Sequence, residues 1–222
     1  MTTSKIDLRE EARKAFEKNT NLSVGKFIDD GAQGKVYNIK EHRNKIVKIS
    51  MLYDRDVSPI EEIFSNIQNI YFWIKDNPQD VLVKIFEFGK LTEGERPFYP
   101  FIKDQKYISY FSIQEKLIKL SVVEEKVFRN LAYNMTQYYH TDEPFFTQNL
   151  ADDPLFYKNL PDFLKSLKEK FDFDQNKILN FYSNLEKLQI YHNDFRPENI
   201  MKDKKGNFKL IDFDLSEFKI NK

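Results

Sequence analysis

The chain has no cysteine, which removes disulfides and thiol chemistry from consideration and fits a reducing, cytoplasmic setting. It also lacks any uncharged apolar run of the roughly 18–20 residues that a bilayer-spanning helix needs. The opening residues Met1–Glu11 hold no apolar stretch of the kind found in secretory leaders, so the expectation is a soluble protein with no membrane partner. Neither sign of charge dominates, since 35 Lys and Arg are balanced by 35 Asp and Glu; a nucleic-acid partner is not expected without a basic field. Three histidines leave little material for a His-rich metal site. There is no internal repeat and no low-complexity tract. At 222 residues the chain can bury a sizeable core, and one domain of two lobes is expected.

What is present is periodicity that changes type along the chain. Residues 4–18 place Leu8, Ala12, Ala15 and Phe16 at helical spacing among charges, predicting a short leading helix packed on the body. From Leu22 the pattern alternates. Val24–Ile28, Val36–Ile39 and Lys45–Ile49 read as three antiparallel strands around two turn segments. Pro59 then opens a helix with Ile60, Ile63, Phe64, Ile67, Ile70, Tyr71 and Ile74 on one face, and Val81–Leu91 and Tyr107–Gln114 supply two further strands. Beyond Leu117 the chain turns helical. Ser121-Val-Val-Glu124 has the form of a capping box ahead of Val127, Phe128, Leu131, Met135 and Tyr138. Ile178, Phe181, Tyr182, Leu185 and Leu188 repeat helical spacing before His192. The aromatic-rich stretch 141–167 between them is expected to be part loop and part helix, its rings in the core.

The last thirty-two residues carry the chemistry. Tyr191-His-Asn-Asp-Phe-Arg-Pro-Glu-Asn-Ile-Met201 is followed by Leu210-Ile-Asp-Phe-Asp-Leu215, ordering a base, an amide and a carboxylate. Asp194 and Asn199 are close enough in sequence for one tight loop to aim both inward. The polar, glycine-containing segment Lys202-Asp-Lys-Lys-Gly-Asn207 predicts a hairpin turn, with Ile200 and Met201 on one strand and Phe208, Leu210 and Ile211 on the other, that returns Asp212 beside them. Such a set suits phosphoryl transfer, which needs an acceptor for a hydroxyl proton and oxygen ligands for Mg²⁺.

These residues resemble the signature motifs of the eukaryotic-type protein kinase-like superfamily, H-R-D-L-x-x-x-N and D-F-G, at His192, Asp194, Asn199, Asp212 and Phe213. The resemblance extends over residues 22–215. Asp29-Asp-Gly-Ala-Gln-Gly-Lys-Val36 is similar to the Gly-rich loop at Gly31, Gly34 and Val36, and Lys48 matches the lysine of V-A-I-K. It implies an α+β, two-lobed fold: an N-lobe at 22–117 with a five-stranded antiparallel sheet and one helix, and a truncated, mainly helical C-lobe at 118–222. ATP and Mg²⁺ would lie in the cleft between them. Asp194 would be the catalytic base, with Lys48 on the α- and β-phosphates and Arg196 neutralising the transferred phosphate. Asn199 and Asp212 would hold the metal, while His192 orders the loop. A carboxylate from Glu61 or Glu62 would pair with Lys48, Glu61 being preferred. Gln114 would take the gatekeeper place, and the backbone of Glu115 and Leu117 would meet the adenine edge.

Three departures shape the functional expectation. Asn193 stands where the family has arginine, so control through a phosphorylated activation loop is not expected. Asp214 stands where D-F-G has glycine, and is expected to face solvent. Only 215–222 follow it, too few for an activation segment and the helices that receive a peptide, leaving a surface for a possible protein partner at the truncated C-lobe. Minimal effector kinases share such a form, whereas aminoglycoside-kinase-like enzymes place substrate-binding insertions in the stretch corresponding to 118–191. The acceptor is therefore expected to be a protein serine or threonine, with a small-molecule hydroxyl as the alternative; a silent pseudokinase that binds a partner is the third reading.

Overall fold

In the computed structural model, residues 8–30, 34–54, 59–97, 104–138 and 154–219 are described. They fall into two compact units, within Met1–Asn77 plus Lys84–Lys116 and within Pro78–Val83 plus Leu117–Lys222. Gly31 and residues 141–153 of the aromatic stretch lie outside the described residues.

The first unit begins with helix α1, Leu8–Thr20, which has Glu10 and Glu11 in its first turn and Lys18 in its last, charges that complement the helix dipole. It stops at Asn21, whose φ of 57° is the left-handed conformation common after helices. Strands β1 (Val24–Asp30), β2 (Gly34–Ile39) and β3 (His42–Tyr53) follow, then helix α2 (Ile60–Asp76) and strands β4 (Ile85–Pro97) and β5 (Asp104–Glu115). They form one five-stranded sheet, in the order β1-β2-β3-β5-β4, with every neighbouring pair antiparallel.

Alternation along β3 and β5 gives this sheet two apolar faces. On one, Val47, Ile49, Phe111 and Ile113 join Ala12 and Phe16 of α1, with Val24 and Ile39, in a single buried cluster; Phe16 meets Phe111 edge-on at 5.1 Å. On the other, Phe64 and Tyr71 of α2 stack on Phe88, the Tyr71 pair at 4.7 Å. The sheet therefore lies between two helices, with the leading helix an integral layer.

One strand differs from expectation. Val81, Leu82 and Val83 do not extend β4 but belong to the second unit, where the Leu210 N–H donates to Val81 O at 2.8 Å and the Val83 N–H to Leu210 O at 3.0 Å. All three are buried. A run that is apolar without alternation marks a segment covered on both sides.

The second unit contains strand β6 (Ile118–Lys119), helices α3 (Val122–Tyr138), α4 (Pro154–Lys168) and α5 (Gln175–Glu186), and strands β7 (Ile190–Tyr191), β8 (Ile200–Lys202), β9 (Phe208–Leu210) and β10 (Glu217–Phe218). The capping box is formed at the start of α3. The Ser121 N–H donates to Glu124 Oε2 at 2.7 Å and the Glu124 N–H to Ser121 Oγ at 3.3 Å. Leu160, Leu164 and Leu167 bury one face of α4. Phe128 of α3 is packed by Phe208 at 5.1 Å and Phe181 at 5.8 Å, both edge-on. Strands β6, β8 and β9 make a small sheet, and β7 pairs with β10.

Truncating the fully buried Phe16 tests whether α1 belongs to the core. Phe16→Ala is expected to cost about 3–5 kcal/mol in urea unfolding, the range for a core aromatic rather than for a peripheral helix.

Candidate active site

The second unit assembles Asp194, Asn199 and Asp212 through backbone hydrogen bonds. Pro197 opens a 3₁₀ turn that ends at Asn199, after which β8 and β9 form the expected hairpin. Its turn is tied by Asp203, whose Oδ1 accepts the Lys205 and Asn207 N–H groups at 2.8 and 2.9 Å. Gly206 supplies the left-handed residue with φ of 80°. The returning strand ends with the Ile211 N–H donating to Asn199 O at 2.9 Å, so Asp212 follows directly on a residue bonded to Asn199.

Asn199 is buried, and its Nδ2 donates to both Asp194 O and Asp194 Oδ2 at 2.9 Å. Both acceptors demand the nitrogen side of the amide, which settles its orientation. Asn199 Oδ1 is left as an acceptor. Arg196 Nη2 lies 3.1 Å from the same Asp194 Oδ2, so Asp194 Oδ1 is the carboxylate oxygen that these two groups leave open. The donor set suits a hard cation: an amide oxygen and the Asp212 carboxylate match Mg²⁺, which takes one or two protein ligands and completes its shell with phosphate and water oxygens. Among the described residues no three His, Cys, Asp or Glu side chains converge as a protein cage would require.

His192 is held at the same junction. Its Nε2–H donates to Ile211 O at 2.7 Å and its ring lies edge-on to Phe213 at 5.2 Å. Burial pushes its pKa below the ordinary histidine value, which keeps the imidazole neutral near pH 7. Asn193 has φ of 57° and Asp212 φ of 65°. Asparagine and aspartate are the non-glycine residues that best tolerate this region, a local reason for Asn193. Asp214 differs from expectation in being buried at 6% exposure; its φ is not positive, so a side chain at this position carries no left-handed strain.

In the first unit, register places Val36, Lys48, Ser112 and Phe88 opposite one another across β2, β3, β5 and β4, and their side chains share one face of the sheet. Gln114, two residues along β5, joins that face; it is buried and its Nε2 donates to Ser112 Oγ at 2.7 Å. Val36 and Lys48 are half-buried. Gly34 lies opposite Ser50, and a Cβ there would stand 2.7 Å from both Ile49 O and Ser50 Oγ. The N–H of Glu115 donates to Lys84 O at 3.0 Å and its Oε1 accepts the Lys84 N–H at 2.9 Å. Leu117 is half-buried between β5 and β6.

Glu61 is found with a partner other than the Lys48 that the resemblance implies. Glu61 is exposed and its ion pair is with Lys106 at 3.5 Å; Glu62 is exposed as well. Lys106 lies at the far end of β5 from Ser112, the residue opposite Lys48, about 20 Å along the strand at ~3.3 Å per residue. The first turn of α2 thus sits over the wrong end of the sheet for that pairing.

Two ion pairs to this loop have no local mark in the sequence. Lys202 Nζ contacts Glu124 Oε2 at 2.6 Å, both side chains 19% exposed. Arg129 of α3 bridges Glu125, at 2.9 Å, and Glu198 in the 3₁₀ turn. Burial raises the Glu124 pKa, but hydrogen bonds from Lys202 and Ser121 outweigh it and hold the carboxyl below the usual glutamate value of 4.5.

No protein-family model matches the chain, and no curated protein does. Among solved structures, the kinase domain of PF14_0431 is 17% identical, with 91% of this chain and 53% of that one covered and a TM-score of 0.43. A Stt7 homolog from Micromonas algae soaked with ATP is 14% identical over 88% of this chain and 50% of that one, with a TM-score of 0.42. The chain spans about half the length of each.

Two measurements test this local structure. Asn193→Val, which forces a β-branched residue into the left-handed region, is expected to cost about 1–2 kcal/mol in urea unfolding, whereas Asn193→Gly stays near wild type. Because the Glu124 carboxyl is held low when folded, its contribution is present above pH 4.5 and fades as pH falls through the folded value. Glu124→Gln should therefore lower the melting temperature at neutral pH and leave a shallower acid decline below that pH.

Proposed function

We propose that the chain is an ATP- and Mg²⁺-dependent phosphotransferase that moves the γ-phosphoryl group to a hydroxyl, with serine or threonine of a protein as the acceptor. The observation that carries this reading is the amide of Asn199, fixed on Asp194 by two donated hydrogen bonds. That bond pattern leaves Asn199 Oδ1 to a cation and Asp194 Oδ1 to a proton. In this reading Asn199 Oδ1 and Asp212 would hold Mg²⁺, which would neutralise charge on the phosphates.

Asp194 Oδ1 accepts the proton of the attacking hydroxyl as its oxygen bonds to the γ-phosphorus. The bond from that phosphorus to the β–γ bridging oxygen breaks, and ADP leaves with the electron pair. Arg196 supplies a fixed positive charge beside the reacting oxygen. Lys48 is assigned to the α- and β-phosphates, and the backbone at Gly31 and Gly34 to the phosphates as well. Val36 and Gln114 would flank the base, with the backbone of Glu115 and Leu117 at its edge. The alignment of Val36, Lys48 and Gln114 on one sheet face supports this grouping. No helix among the described residues is long and apolar enough to cross a membrane; a cytoplasmic location is proposed on the cysteine-free composition.

The test is incubation with γ-labelled ATP and Mg²⁺, with a generic protein and a panel of aminoglycosides as acceptors. Label is expected on protein serine or threonine, and Asp194→Ala should reduce it by about 10²–10⁴-fold while the chain stays folded by circular dichroism. Label on the small molecules alone would reassign the acceptor. No transfer at all, together with no thermal shift by Mg²⁺-ATP, would overturn the reading.

A further inference from the structure

We propose that Glu124 and Arg129 of α3 are positioning residues for the loop that carries Asp194 and Asn199, acting through Lys202 and Glu198. The inference deepens the phosphotransferase reading and rests on it for its kinetic consequence, but its structural part stands on three contacts between α3 and the segment 198–208. Glu124 takes Lys202 at 2.6 Å, Phe128 packs edge-on against Phe208 at 5.1 Å, and Arg129 takes Glu198.

The order of these contacts fixes a register. On α3 Glu124, Phe128 and Arg129 take Lys202, Phe208 and Glu198 respectively, and Lys202 and Phe208 are themselves opposite one another on β8 and β9. A slide of the helix that brought Glu124 toward Glu198, or Arg129 toward Lys202, would set like charges together, which disfavours the shifted arrangement. Glu124 is also committed to the capping box, accepting Ser121 N and Ser121 Oγ at 2.7 Å each. Its carboxylate is thus held at the first turn of the helix and cannot follow Lys202 elsewhere.

Asn199 is enclosed by these anchors. Glu198 precedes it directly, and Lys202 lies three residues on. Its amide reaches Asp194 at 2.9 Å, and hydrogen bonds weaken steeply when that geometry opens. Releasing either anchor frees the stretch 198–202 to carry the amide off Asp194. Partners of this outer kind commonly matter about 10- to 100-fold for metal affinity or turnover, although the Arg129 pair itself is exposed and adds little to folding.

The experiment compares wild type with Arg129→Glu and with the exchanged pair Arg129→Glu/Glu198→Arg, in the full chain. Backbone hydrogen exchange is read at Asn199 and at Ile211, whose N–H is bonded to Asn199 O, and turnover is read as a function of Mg²⁺. Arg129→Glu should speed exchange at both amides about tenfold or more, raise the Mg²⁺ requirement and lower turnover about 10- to 100-fold, with an unchanged melting temperature. The exchanged pair should recover most of each. Wild-type exchange and Mg²⁺ requirement in Arg129→Glu, or no recovery in the folded double variant, would overturn the proposal. If wild type transfers no phosphate, the phosphotransferase reading fails, and the exchange rates still decide whether these residues position the loop.

Discussion

The amide of Asn199 is the constraint on which the loop at 192–202 turns. Both of its N–H groups are committed to Asp194, one to the backbone oxygen and one to the carboxylate. Its own backbone oxygen is committed to Ile211. One residue therefore joins the turn that carries Asp194 to the strand that delivers Asp212. His192 reinforces the same junction by donating to Ile211 O from the other side, and its neutral state follows from its burial. A charged imidazole there would need a second acceptor, and none is present at its Nδ1 among the described residues.

Backbone conformation around this junction explains residue identities that a motif comparison treats as anomalies. Asn193 and Asp212 both occupy the left-handed region, and strain of this kind is characteristic of functional loops. Asp214 needs no glycine's freedom, so a carboxylate is sterically permitted there. Gly34 carries the opposite lesson. Strand packing alone requires it, because a side chain would strike the neighbouring backbone, and the glycine by itself says nothing about phosphate.

Much of the fold was legible because its signals are local. The alternation in β1, β2 and β3, the apolar stripe of α2, the Ser121–Glu124 capping box and the polar turn at 202–207 are decided by residues within a few positions of one another. The turn that sets Asn199 against Asp194 and the β8–β9 hairpin that ends before Asp212 were readable for the same reason. What was not legible depends on partners distant in sequence. Val81–Val83 reads as the start of a strand until Leu210 is known to take its backbone. Nothing near Glu61 indicates that Lys106 will claim it, and Asp214 was expected in solvent because burial depends on what packs over it. The pairs Glu124–Lys202 and Arg129–Glu198 span 78 and 69 residues, beyond any periodic pattern.

The excursion of Pro78–Val83 into the second unit makes the two halves interleaved along the polypeptide. A fragment begun at Leu117 would leave the amide and carbonyl of Leu210 without the strand that satisfies them in the whole chain. The strand that delivers Asp212 would then end on an open edge. Synthesis imposes the reverse condition: the six residues emerge more than a hundred positions before Leu210, so the second unit cannot close until Leu210 has been made.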